Sequence, residues 1–174
     1  MGAELIDFQI VELAEGKVIS KEIRVAMSPQ APNPVPGFWT SCFADGTIAT
    51  LRKLDGLLYP NALVGWLGDY RPSDQSFVYL VGMVAGPEVM PPAGFTARAL
   101  PPGRYAVGYI RGPEPDIYPQ ARDLTSAEMV KRHLAPDPQA GFEIEWYDDE
   151  RFNGAGATHV LDFYVPLADE ERGE

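Results

Sequence analysis

Leu13-Ala14-Glu15-Gly16-Lys17-Val18 and Leu100-Pro101-Pro102-Gly103-Arg104-Tyr105 follow one plan: a leucine, two turn residues, a glycine, a base and the start of a strand. Leucines 13 and 100 stand 87 positions apart, half of the 174-residue chain. Outward from these stretches, each half reads strand, strand, helix, strand, strand. In the first half Ile6, Phe8 and Ile10 alternate with Asp7 and Gln9, the period of a half-buried strand. Glu15-Gly16 reads as a turn, and residues 17–27 give a second strand, so a hairpin is expected. Prolines across residues 28–36 exclude helix and central strand. Asn33 is suited to cap a helix starting near Pro36, with Phe38, Trp39, Cys42 and Phe43 on one face. Leu51 and Leu54 continue it after Asp45-Gly46. Residues 62–70 and 76–85 are strands around the turn at 71–75, and the proline-rich 86–94 joins the halves.

The second half repeats the order. Residues 95–100 and 104–111 read as strands. Thr125 and Glu128 form a capping box ahead of Met129, Val130 and Leu134, and 142–147 and 158–167 close the pattern. The charged tail, 169–174, is expected to fray. The fold class is α+β, a tandem β-β-α-β-β duplication with antiparallel sheets around a central pocket. It forms one domain over 1–174, with pseudo-repeats at about 5–86 and 94–167. Sheets with one apolar face must bury it, and the seam of such a duplication is a favoured ligand site.

With 45% apolar residues the chain can fill one core. Its longest apolar runs, such as 77–85, are far too short for a bilayer, and residues 1–8 show no signal peptide. A single cysteine, Cys42, precludes an internal disulfide and suits a reducing, cytoplasmic setting. The 14 basic residues face 25 acidic ones, a net charge of −11. Such a surface does not collect phosphates, so direct nucleic-acid binding is not expected. Cationic ligands or a basic protein partner suit it better.

Familiar catalytic patterns are missing. His133 and His159 stand alone at no spacing suited to a metal site, with only one cysteine to help, so no metal centre is expected. The glycine-rich 153–157, which could shape a pocket mouth, lacks the lysine and helix of a phosphate loop, and no cofactor is expected. Glu145 stands out within a strand otherwise rich in Phe, Ile, Trp and Tyr. A carboxylate at such a position needs a partner or a purpose, although period two puts Glu143, Glu145 and Tyr147 on one face, which an outward-facing strand would also do. Trp39, Trp66, Tyr105 and Tyr147 are candidate aromatic walls for a flat or cationic ligand; each could equally be core. Asp162 is either a second pocket acid or half of a salt bridge.

Pro102 to Val107 with Arg111-Gly112, then Phe142-Glu143-Ile144-Glu145-Trp146-Tyr147, then Asp162-Phe163-Tyr164-Val165-Pro166, resemble the GyrI-like effector-binding domain family. Weaker matches are Phe38-Trp39, Gly65 with Asp69-Tyr70, and Tyr79 with Gly82 and Val84. The family includes gyrase-inhibitor-like proteins and the ligand domains of AraC-type and multidrug-responsive regulators. The resemblance implies a hydrophobic pocket taking a lipophilic, often cationic, aromatic compound; a stand-alone member is expected, because the sequence departs from the regulators in leaving no room for a helix-turn-helix segment before Leu5. It also implies that Glu145 is the pocket carboxylate of a Glu-x-Tyr motif. Non-catalytic binding is the first expectation. Two others stand beside it: hydrolysis of reactive, cyclopropane-type compounds by Glu145 with Tyr105 or Tyr147, and an acidic protein-interaction role such as gyrase inhibition.

Overall fold

In chain order the elements are β1 (Glu4–Leu13), β2 (Gly16–Ala26), α1 (Val35–Ala44), α2 (Thr47–Arg52), β3 (Ala62–Arg71), β4 (Ser76–Ala85), β5 (Thr96–Leu100), β6 (Gly103–Gly112), α3 (Ile117–Lys131), β7 (Phe142–Asp148) and β8 (His159–Pro166). They come from a computed structural model that describes residues 2–152 and 158–168. The glycine-rich 153–157 and the tail 169–174 lie outside the described residues.

The expected β1–β2 hairpin does not form. β1 pairs antiparallel with β6, and β2 lies between β4 and β5. A two-residue hairpin loop needs positive φ at its turn. Gly16 does not supply it: it is buried and already extended as the first residue of β2. The chain therefore runs on from β1 into a strand that pairs with β4 and β5 instead. The same happens between β5 and β6, where Leu100 passes through Pro101-Pro102 to Gly103, at φ 139.

The two exchanges mirror each other. Leu13 lies opposite Gly103, and Gly16 opposite Leu100; Val11 lies opposite Tyr105, and Val18 opposite Arg98. Each pair becomes the other when one member moves forward, and its partner back, by the interval between the two leucines. The chain is a duplication whose first strands have changed places.

One compact unit comprises residues 1–14 and 102–174, the other 15–101. In the first, the strands run β1-β6-β8-β7, all antiparallel. Helix α3 crosses one face, mostly over β6. Its buried residues Ile117, Ala121, Thr125 and Met129 recur every fourth position, the stripe of an amphipathic helix. The helix starts well before the expected capping box, so Thr125 is a buried mid-helix residue. Pro119 concealed that start, yet it sits in the first turn, where no intrahelical N–H bond is lost. Val130, read as core, is 73% exposed.

In the second unit the order is β3-β4-β2-β5, with α1 and α2 packed against β4 and β2. Asn33 is not the cap: the N-cap of α1 is Pro34, no side chain caps the helix, and the Asn33 side chain accepts a hydrogen bond from the Val35 N–H at 3.1 Å in the turn just ahead of it. Cys42 is buried on this helix, whereas Phe43 is exposed. Gly46, at φ 87, makes the break before α2. No helix among the described residues is long and apolar enough to cross a membrane.

α3 approaches β6 closely at Gly108, where an added Cβ would lie 2.2 Å from Thr125 Oγ1. Gly108→Ala is therefore expected to cost about 1–3 kcal/mol in urea unfolding, the usual range for overpacking. Combining it with Thr125→Ala should recover only part of that loss, because the Thr125 Cβ itself would still be at 3.0 Å. Strictly additive effects would show that the contact is not what fixes the helix.

Candidate functional site

The site is set by strand alternation in the first unit. Across β7 and β8, Ile144 lies opposite Tyr164, Glu145 opposite Phe163, and Trp146 opposite Asp162. On β6, Gly108 lies opposite Phe163 and beneath Thr125 of α3. Glu143, Glu145 and Tyr147 thus share the face that carries the helix, and Glu143 pairs with Arg122 of α3 at 2.8 Å. Phe142, Ile144 and Trp146 point to the other face, with Tyr105, Tyr109, Asp162 and Tyr164.

Glu145 is 8% exposed and accepts a hydrogen bond from the Tyr147 hydroxyl at 3.0 Å. An O–H donor on the carboxylate favours its charged form. Rings surround the pair. Phe152 meets Tyr147 edge-on with centroids 4.9 Å apart, stacks on His159 at 4.5 Å, and lies 6.3 Å from Tyr118 of α3. Burial pushes the Tyr118 phenol well above its ordinary value; its hydrogen bond to Glu114 and the charges of Glu114 and Glu145 push it the same way. Tyr118 therefore stays neutral. The His159 ring is buried, and its Nδ1 has no partner among the described residues. A carboxylate held by a phenol inside aromatic rings can neutralise a cation or exchange a proton.

The other expected site residues lie elsewhere. Tyr105 is buried on the opposite face from Glu145, near Phe142 and Tyr164 at 6.5 and 6.3 Å. Trp146, which the sequence did not single out, stacks on Tyr164 at 4.7 Å there. Trp39 and Trp66 belong to the second unit. The Trp39 indole donates to the Tyr79 hydroxyl at 2.8 Å, fastening α1 to β4. Trp66 is buried, with the Arg98 guanidinium 5.7 Å from its ring; Asp69 holds Arg98 at 3.0 Å.

The duplication shows that the acid is peculiar to one unit. Val107, Tyr164 and Ile144 face each other across three strands, as do Ser20, Gly82 and Val64. Stepping along from these rows, Gly65-Trp66-Leu67 corresponds to Glu145-Trp146-Tyr147. The tryptophan recurs; the carboxylate and phenol do not.

Sequence reasoning missed Tyr118, Phe152 and His159. Tyr118 was lost with the start of α3. Phe152 sits in the turn after β7, where nothing periodic marks it. His159 was read as solitary because its neighbours come from β7 and the turn rather than from adjacent positions.

A family model for the GyrI-like small molecule binding domain matches residues 6–168. Among solved structures, SAV2435 bound to tetraphenylphosphonium resembles the chain with a TM-score of 0.71 at 18% identity, covering 94% of each chain. A putative bacterial transcription regulation protein from Staphylococcus aureus MU50 gives 0.68 at 17%, covering 94% of this chain and 99% of that one. A hydrolase encoded by lin2189 from Listeria innocua is more distant, at 0.53 and 11%, covering 92% and 91%. A comparison with curated proteins gives no match.

Asp162 supplies a test of the buried electrostatics. Burial raises its carboxyl to about 6 from the ordinary 3.8, against the lowering effect of Arg151. The fold thus favours the protonated acid, and this contribution is largest below the unfolded value and lost as pH rises toward 6. From pH 4 to 7 the stability of the protein relative to Asp162→Asn is expected to fall by up to about 3 kcal/mol. Parallel stability curves for the two proteins would refute the burial cost.

Proposed function

From the premise that this chain belongs to the GyrI-like small molecule binding domain family, we propose that it binds a lipophilic aromatic cation without transforming it, with Glu145 as the counter-charge. The observation that carries this reading is the Glu145–Tyr147 hydrogen bond, buried within the rings of Tyr147, Phe152 and Tyr118. Each ring face offers a cation about 0.5–2 kcal/mol, and the carboxylate adds a charge that no neutral ligand can exploit. SAV2435 binds tetraphenylphosphonium, a cation of this class, and it is the natural first probe. The net charge of −11 makes direct DNA contact by this chain a poor fit.

Hydrolysis is the second reading, and the same pair favours it. Glu145 could activate water while Tyr147 supplies a proton; Tyr105, on the other face, is badly placed to share the task.

In calorimetric titrations, Glu145→Gln should weaken tetraphenylphosphonium about tenfold or more, equivalent to about 1.4 kcal/mol. Neutral triphenylphosphine oxide should lose no more than about threefold. Equal losses for both ligands would remove Glu145 as the counter-charge. Turnover of an electrophilic substrate that Glu145→Gln abolishes, with binding intact, would replace binding by hydrolysis.

A further inference from the structure

The face of the first unit's sheet away from α3 holds a second buried acid. Asp162 on β8 is 1% exposed and lies opposite Tyr109 of β6 on one side and Trp146 of β7 on the other. Its Oδ2 accepts a hydrogen bond from Arg151, whose guanidinium lies 5.9 Å from the centre of the Tyr109 ring. Its Oδ1 is buried and has no hydrogen-bond partner among the described residues. A carboxylate recognises a planar guanidinium best through two parallel bonds, one to each oxygen. Arg151 makes only one of them.

We propose that Asp162 and Tyr109 form a second ligand site, selective for planar amidinium or guanidinium compounds, which Arg151 fills in the absence of ligand. An incoming fork could satisfy both oxygens and lay its plane on Tyr109, which the tethered arginine achieves only in part. Displacement is inexpensive for three reasons. Arg151 stands in the turn after β7 with its side chain 43% exposed, so it can swing outward without unpacking a core. Asp148, already 3.7 Å from the same guanidinium nitrogen, can keep the released charge. The raised Asp162 carboxyl also shows that one hydrogen bond from Arg151 does not offset its burial. This site lies on the opposite face of the sheet from Glu145 and does not depend on the reading given above.

Benzamidine is a suitable probe, with an amidinium fork and an aromatic ring. Titration followed by calorimetry or by nuclear magnetic resonance should show weak binding to the native protein. Removing the resident cation in Arg151→Ala should tighten it about tenfold. Arg151→Ala combined with Asp162→Asn should abolish it, and this double variant leaves no buried charge unpaired that might impair folding. Tyr109→Leu should weaken binding in the Arg151→Ala background, and the whole series is measured in Glu145→Gln protein so that a cation held at Glu145 does not contribute. Equal affinity in the native protein and Arg151→Ala would overturn the proposal. So would benzamidine binding that survives the double variant in that background.

Discussion

Glu145 stands opposite Phe163 while its neighbour Trp146 stands opposite Asp162, and from that register follow both places where an acid is buried among the described residues. A slip of one residue between β7 and β8 would reverse every side chain on one of them. Glu145 would leave the helix-bearing face and its aromatic neighbours, or Asp162 would lose Tyr109. Both carboxylates are below a tenth exposed, and a buried charge is costly unless compensated. The fold compensates them differently. Glu145 accepts a hydrogen bond from the Tyr147 hydroxyl, two residues along its own strand. Asp162 receives a full positive charge from a turn.

The duplication sharpens this contrast. Because the first strands are exchanged in a symmetric way, the remaining strands of the two units can be matched row by row. Where the first unit has Tyr164, the second has Gly82, and a Cβ there would fall 2.3 Å from the Ile19 carbonyl oxygen. Where the first has Glu145 and Tyr147, the second has Gly65 and Leu67. In the second unit the Arg98 guanidinium lies over the corresponding indole, that of Trp66, and is paired with Asp69 and Glu22. The first unit carries buried acids at positions 145 and 162 of its strands, and the matching positions of the second are Gly65 and Leu80.

Much of this was legible in the sequence. Period-two alternation located the strands, and the Leu-x-x-Gly repeat exposed the duplication, because both depend on local spacing. The exchange of β1 and β5 was not legible: Glu15-Gly16 has the composition of a hairpin turn, and only its φ angles show that it is none. The Glu145–Tyr147 pair was readable because both residues lie on one strand at spacing two. Tyr105 could not be separated from them, since that requires knowing how β6 registers against β8. Phe152 and Arg151 come from an irregular turn and carry no periodic signal at all.

The sequence's most conspicuous number, its net charge of −11, contributes less to recognition than these few buried groups. At physiological salt, exposed charges are screened over about 8 Å, so the acidic surface speeds the approach of a cation more than it holds one. A bound cation gives up its hydration, and only groups at contact distance can replace it. Aromatic faces do so without being heavily hydrated themselves, and a carboxylate already desolvated by folding has less water left to lose. The cost of burying Glu145 and Asp162 is met when the chain folds rather than when a ligand arrives, which is the condition under which an acid in a sheet discriminates charge.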